Sequence, residues 1–179
     1  MLYRNILAGS LMLGLAGALG CEQTISGLGG KPSPIMPIGE SHFMKVLASG
    51  NQEQVQLSKV ALTRSHNDQI RHFAQEMIDE RTDLQSQLQD LATNKEVVLP
   101  VVLGNIEQGV VTDLSAQSDT NFDQAYINDE MAALQDTIND TEAESINGAD
   151  VDVKAFAQRI LPKLEHEQVW VKQLKGIEQ

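Results

Sequence analysis

Histidine and carboxylate side chains are the groups of this chain best suited to bind a metal ion inside a helical protein. Such sites commonly use a Glu-x-x-His pair, whose spacing places both ligands on one helix face. His166 has Lys163 at the matching position, and a lysine repels a metal. His66 and His72 are six residues apart and do not share a face, while His72 with Glu76 is interpreted as a surface pair. The fourth histidine, His42, adds no pair, so we predict no metal site and no cofactor.

Nucleophilic and phosphate-binding motifs are not recognisable in the sequence either. No serine lies in a nucleophile elbow or a lysine-paired motif. The glycine-rich stretch GLGGK, residues 27–31, precedes a proline-rich segment, whereas a phosphate loop leads into a helix. The sequence therefore predicts a protein that is not an enzyme.

Cys21 is the single cysteine of the chain, so it cannot form an intramolecular disulfide. It directly follows an apolar run, residues 6–20, that is shorter than the ~20 residues a spanning helix needs and is typical of an export signal. A permanent transmembrane anchor is the alternative. The stretch Ala-Leu-Gly-Cys at residues 18–21 resembles a bacterial lipobox, with alanine where leucine is commoner. The resemblance implies that Cys21 is acylated and holds the protein on a membrane.

The residue after the lipobox cysteine indicates the location of the protein, and the net charge of the chain limits its partners. Glu22 stands where aspartate is the usual inner-membrane retention signal, so the resemblance favours the periplasmic face of the outer membrane. The chain has 13 basic and 25 acidic residues and a net charge of −12. Nucleic acid is excluded as a partner because phosphate binding requires a basic face. The predicted partners are the membrane, through the lipid, and an envelope protein.

The composition divides the chain into three parts. Residues 1–20 are the predicted lipoprotein signal peptide, and residues 21–40 are the lipidated cysteine with a Gly/Pro-rich tether. Residues 41–179 are the folded domain. A proline-rich ligand for a partner domain is a second interpretation of the tether, but no spacing in it favours that role.

The domain is predicted to be all-α, because apolar residues recur every three or four positions and no stretch alternates with period two. We expect a four-helix bundle with a short crossover helical segment between its second and third helices. Gly50 should kink the first helix, and Pro162 should bend or divide the last one. The predicted segments are 41–63, 65–94 (with Ser65 as N-cap), 103–116, a helix starting near 118, and 151–176.

Several motifs together resemble the bacterial family called "domain of unknown function 4142", whose members are exported proteins. The motifs are FAQEMIDERT, Leu-Pro at 99–100, FDQAY and FAQRILPKLEH, in that order. The resemblance covers roughly residues 41–175 and implies a ferritin-like four-helix fold. It also implies four inward polar positions, a glutamate and three histidines, which fall here on Gln54, Arg81, Leu134 and His166. Only His166 keeps the family's residue type, so metal chemistry at these positions would lose most of its ligands.

Arg81 lies on the apolar stripe between Met77 and Leu84, where a helix should bury its residues. A buried arginine needs a carboxylate partner, since an unpaired buried charge costs several kcal/mol. Alternatively, its stem lies along the core and its guanidinium reaches water. The candidate partners on other helices are Asp129, Glu130, Glu165 and Glu167.

Two functions follow from the sequence. The first is a non-enzymatic, lipid-anchored periplasmic bundle that acts in envelope interactions or stress. The second is a ferritin-like metal-binding protein with a reduced or displaced site near His166 and the acidic side chains, which the negative charge would favour.

Overall fold

The computed structural model describes residues 38–177, which form five helices and contain no strand. This confirms the all-α prediction. The predicted signal peptide, Cys21 and most of the predicted tether lie outside the described residues. The helices are α1 (Ile38–Arg64), α2 (Asp68–Asn94), α3 (Asn105–Ser115), α4 (Asp119–Asn147) and α5 (Val151–Ile177).

The four long helices pair as two hairpins, and α3 crosses between them. Short links at residues 65–67 and 148–150 reverse the chain, so α1 packs against α2 and α4 against α5. Helix α1 also packs against α4 and α3. Among the helices of residues 38–177, none is long and apolar enough to cross a membrane.

Two predicted helix starts are corrected. Helix α1 begins at Ile38, so residues 38–40 belong to the helix and not to the tether. Glu40 explains the earlier start, because its buried carboxylate accepts hydrogen bonds from the backbone amides of Ala149 (2.7 Å) and Asp150 (3.2 Å). The N-cap of α2 is Asn67, whose side chain accepts from the second and third amides of the helix, and not Ser65.

Pro162 does not divide the last helix, and the kink predicted at Gly50 does not interrupt the first one. Helix α1 runs without interruption through Gly50, and α5 continues through Pro162. The neighbouring Asn51 is buried and donates from its amide to Gln85 Oε1 of α2 at 3.2 Å. This contact ties the middle of α1 to α2 at the point where the sequence is weakest in helix propensity.

The apolar core forms two separate clusters along the length of the helices. One cluster contains Phe43 and Leu47 of α1 and Phe156 of α5, and the other contains Phe73 of α2 and Tyr126 of α4. Between them the helices bury a polar layer instead of apolar side chains. Its members are Gln54 and Ser58 of α1, Arg81 of α2, Glu130 of α4 and Glu167 of α5.

Candidate functional site

The polar layer is centred on an ion pair between Arg81 and Glu167. The two side chains belong to α2 and α5 and are 86 positions apart in the sequence. An Arg81 guanidinium nitrogen donates directly to Glu167 Oε2. Arg81 is 1% exposed and Glu167 is 4% exposed, so the pair is enclosed by protein. The alternative in which the guanidinium reaches water is therefore wrong.

Glu130 is the second carboxylate of the layer and is fully buried, with 0% exposure. Gln54 Nε2 and Ser58 Oγ each lie 3.4 Å from one of its oxygens. The hydroxyl of Tyr126 lies 3.0 Å from Ser58 Oγ. Tyr126 can donate to Ser58 while Ser58 donates to Glu130. Hydrogen bonds then connect two residues of α4, Tyr126 and Glu130, through Ser58 of α1. Glu130 is thus held by neutral partners.

One guanidinium cannot neutralise two buried carboxylates, and their pKa values reflect this. Burial raises the pKa of Glu130 to about 8, although the nearby Arg81 opposes the increase. Burial and the neighbouring Glu80 act to raise the pKa of Glu167 as well, but the Arg81 guanidinium in direct contact with its carboxylate opposes that increase and favours the ionised form. The direct contact makes Glu167 the ionic partner of Arg81. Glu130 is consequently the carboxyl that keeps a proton near neutral pH.

A second acidic group lies beside the layer, between α1, α3 and α4. Burial, followed by repulsion from Glu107 and Asp129, raises the pKa of Glu53 to about 7. Burial and repulsion from Asp113 also raise the pKa of Asp129. All of these side chains except Asp113 are partly buried. No positively charged side chain is among the groups that shift the pKa of Glu53 or Asp129.

The four positions implied by the family resemblance do not meet in one site. Gln54 and Arg81 belong to the polar layer, and Leu134 is buried in an apolar cluster. His166 is exposed, so its assignment as an inward position is corrected. One step along an α-helix turns the side chain by about 100°. The inward residue of this turn of α5 is its neighbour Glu167.

The polar layer is not arranged as a metal site. Within residues 38–177, no three His, Cys, Asp or Glu side chains converge closely enough to hold an ion. Glu130 and Glu167 could each offer a carboxylate, but the positive charge of Arg81 acts on both and opposes a cation. His72, the other candidate, is exposed and packs edge-on against Trp170, with 5.5 Å between ring centroids.

Two surface grooves lead towards Arg81. One lies between α2 and α5, has a volume of about 180 Å³ and is lined by Arg81, Glu167 and Lys163. The other lies between α1, α2 and the 101–103 segment and has a volume of about 410 Å³. Arg81 Nε is buried and has no hydrogen-bond partner. This donor is the least satisfied group of the ion pair.

The sequence contained a signal for both acidic members of the layer. Glu130 lies four residues after Tyr126 and four before Leu134, on the apolar stripe of α4. Glu167 lies between Leu164 and Val171, on the stripe of α5. Each acid interrupts its stripe as Arg81 does in α2. Our prediction named both acids among four possible partners of Arg81, but it did not use these interruptions to choose between them.

Comparison with known proteins gives one family and one fold. The family model described as "Domain of unknown function (DUF4142)" matches residues 32–174. No curated protein matches the chain. The crystal structure of a DUF305 fragment from Deinococcus radiodurans matches with a TM-score of 0.70 and 14% sequence identity. The match covers 80% of this chain and 99% of the fragment, and at this identity it shows a shared helical fold.

Proposed function

This chain belongs to the family described as domain of unknown function (DUF4142), and we propose that it is a lipid-anchored, non-enzymatic protein of the bacterial periplasm. Its domain is a ferritin-like four-helix bundle that serves in envelope interactions or stress. In this proposal a signal peptide directs export, Cys21 carries the lipid, and the tether connects it to the domain on the periplasmic side of the outer membrane.

The observation that carries the non-enzymatic part of the proposal is the ion pair between Arg81 and Glu167. A ferritin-like enzyme places its metal ligands in the middle of the four helices. Here the middle is occupied by a guanidinium that neutralises a carboxylate of the same chain. Such a layer can specify the register of the helices, and within residues 38–177 no three His, Cys, Asp or Glu side chains are placed to hold a metal ion.

The envelope location is supported by the sequence alone. The apolar run of residues 6–20 has the length of an export signal, and Cys21 follows a lipobox-like stretch. The acidic composition of the chain is compatible with a soluble domain held beside a membrane by lipid and not by basic residues.

Crosslinking in intact envelopes tests this proposal. Cells that produce the full chain are crosslinked, and proteins bound to it are recovered and identified. We expect an envelope protein to be recovered with the wild type and to be depleted with Cys21→Ser, which should lose its membrane location. Recovery of no partner, together with reproducible turnover of a substrate by the purified protein, would contradict the non-enzymatic proposal.

A metal-handling role is the second candidate, and one observation favours it. Repulsion from Glu107 and Asp129 acts on Glu53 beside the polar layer, and a cation drawn to Glu53 would relieve that repulsion, although these three side chains do not converge closely enough in this structure to hold an ion between them. This displaced site would lie away from Arg81. Elemental analysis of the purified, dialysed protein distinguishes the two candidates. Stoichiometric iron, manganese or zinc that is lost in Glu53→Gln but kept in the exposed control Glu142→Gln would establish the metal-handling role.

A further inference from the structure

Two polar atoms in the walls of the groove between α1, α2 and the 101–103 segment are buried without a hydrogen-bond partner. One is the donor Nε of Arg81, and the other is the acceptor Oδ1 of Asn51. Both residues line this groove, and they are 1% and 2% exposed, respectively. Folded proteins rarely leave such groups unsatisfied, because burial without a partner costs free energy. A free donor and a free acceptor along one groove therefore call for an occupant.

Each of these two side chains is held in place by a hydrogen bond from another of its nitrogen atoms. Arg81 donates from Nη2 to Glu167 of α5, so its Nε is left for a second acceptor. Asn51 donates from Nδ2 to Gln85 Oε1 of α2 at 3.2 Å, so its Oδ1 is left for a donor. The two free atoms are therefore fixed before any ligand arrives, which lowers the cost of binding one.

The residues that carry the free atoms lie about one helical turn apart. Gln85, the partner of Asn51, is four residues after Arg81 on α2. Residues four apart lie on the same face of a helix, and one turn advances by about 5.4 Å. Asn51 thus meets α2 one turn beyond Arg81. A single small polar group can reach both residues.

The segment after Leu99 forms one wall of the groove. Gln52 of α1 donates to the carbonyl oxygen of Pro100 at 2.7 Å, and Leu99 is buried in an apolar cluster. These two contacts hold the segment against the helices. Val101 and Val102, which come next, line the groove and are 85% and 70% exposed. A ligand with an aliphatic part would cover this apolar surface and remove it from water.

The charge of the groove favours a neutral ligand. Within the described chain, Arg81 is the only charged residue that lines it, and Glu167 already neutralises that charge. An anion would find no free counter-charge, and a cation would meet the guanidinium. The volume of about 410 Å³ is that of a small-molecule site. The other polar side chains of the lining are five amides and one hydroxyl, those of Asn51, Gln52, Gln56, Gln85, Gln108 and Thr82.

We propose that this groove binds a neutral secondary amide that carries an aliphatic group. The carbonyl oxygen of the ligand accepts from Arg81 Nε, and its N–H donates to Asn51 Oδ1. A trans amide directs these two groups to opposite sides of its C–N bond, which suits partners one helical turn apart. The aliphatic group lies on Val101 and Val102. This site goes beyond the envelope role proposed above and requires neither the lipid nor a metal ion.

The Nε–H signal of Arg81 in an NMR spectrum tests the site directly. The full chain is labelled with heavy nitrogen at arginine alone, of which it has five. Lysine substitutions at the other four arginines assign their signals and leave that of Arg81. The probe is N-butylbutanamide, a neutral secondary amide with an aliphatic chain on each side. Butyl butanoate has the same carbonyl and chains but no N–H, and butanoate is the anionic control.

We expect N-butylbutanamide to shift the Arg81 signal in a saturable manner. Butyl butanoate should bind about tenfold more weakly, because Asn51 Oδ1 then stays without a donor. Butanoate should leave the signal unchanged at the same concentrations.

Val101→Asp and Val98→Asp form a matched pair of exposed variants. Val98 belongs to the same connecting segment and is 83% exposed, but it does not line the groove. Val101→Asp should weaken the binding of the amide about tenfold, because it removes apolar surface from the site. Val98→Asp should bind the amide as the wild type does.

Three results would overturn the proposal. The absence of a saturable shift of the Arg81 signal would mean that ordered water only occupies the groove. Equal binding of the amide and the ester would show that Asn51 Oδ1 receives no donor from the ligand. Equal binding by Val101→Asp and Val98→Asp would place the amide outside the groove. None of these results depends on Cys21, so failure of this inference is distinguishable from failure of the proposed anchor.

Discussion

Arg81 of α2 and Glu167 of α5 form an ion pair that is enclosed between the two apolar clusters of the domain. The pair replaces apolar packing at the one level where α1, α2, α4 and α5 all contribute polar side chains. A buried pair of this kind adds little net stability, because the removal of both charges from water offsets their attraction. Removal of only one of the two side chains is much more destabilising, because the other charge is then buried without a partner. Single and double substitutions can therefore test whether the pair exists.

Arg81→Ala should lower the free energy of unfolding by about 3 kcal/mol or more, because Glu167 is then buried without a cation. Arg81→Met keeps the aliphatic stem of the side chain, but near neutral pH it should lower the free energy of unfolding by a similar amount. The cost of Arg81→Met should decrease as the pH is lowered, since Glu167 can then take a proton. Urea midpoints measured at equal slopes give these values.

Lys163→Ala is the matched control for these variants, because Lys163 lines the same groove but is exposed. A surface change of this kind should alter stability by no more than about 0.5 kcal/mol. Near-wild-type stability of both Arg81 variants would mean that the arginine does not lie in the core of the folded protein.

Glu167→Ala and His166→Ala should differ sharply although the residues are adjacent. Glu167→Ala leaves the Arg81 guanidinium buried and unpaired, and should cost about 3–5 kcal/mol. His166→Ala removes an exposed side chain and should change stability by less than about 0.5 kcal/mol. Urea unfolding of the two variants provides the measurement. A larger effect for His166→Ala would show that the helical phase of α5 is wrong.

Glu130 should make the domain less stable as the pH rises from about 4.5 towards 8. Burial raises its folded pKa to about 8, while the unfolded chain has the ordinary value near 4.5. Between these pKa values the folded state holds a proton that the unfolded state has released. The contribution of Glu130 to stability is therefore fully present below the unfolded pKa and is lost as the pH rises towards the folded pKa.

Glu130→Gln keeps a neutral group of the same shape and should flatten this part of the stability profile. The comparison is made by urea unfolding at pH 5, 6, 7 and 8, values chosen to span the expected window (about 4.5 to 8). Glu142→Gln, an exposed change on the same helix, is the control and should keep the wild-type slope. An unchanged slope in Glu130→Gln would show that Glu130 is ionised throughout this range.

Cys21→Ser tests the lipid anchor independently of the fold. The variant should accumulate as unprocessed precursor or leave the membrane fraction, because serine cannot form the thioether through which the lipid is attached. Fractionation, detergent partition and the mass of the mature protein report the result. Wild-type processing and partition in the variant would refute lipidation at this position.

The helices were predictable from the sequence because apolar spacing is a local property, and the all-α class is confirmed. The first turn of α1 was missed because Glu40 is stabilised by amides of the distant 149–150 segment, which no local pattern reveals. Helix α1 is continuous through Gly50 and α5 is continuous through Pro162, because the tertiary context of a long helix can outweigh a local propensity.

The candidate site was predictable only in part. The apolar stripe of α2 indicated that Arg81 faces inward, but the choice among four acids depends on how the helices are rotated and shifted against one another. His166 was placed inward on the family resemblance, whereas the spacing of Leu164 and Val171 points to Glu167. In this case the residue pattern of the chain itself is the better guide.

A double-mutant cycle on Arg81 and Glu167 tests the central claim most directly. The variants are Arg81→Met, Glu167→Met and the double variant, unfolded in urea at neutral pH, below the pKa of about 8 at which Glu130 loses its proton. We predict that each single variant is destabilised by about 3 kcal/mol or more, while the double variant returns to within about 1 kcal/mol of wild type, because no charge is then left unpaired. Additive losses in the double variant would contradict the claim that these two residues form the buried ion pair at the centre of the domain.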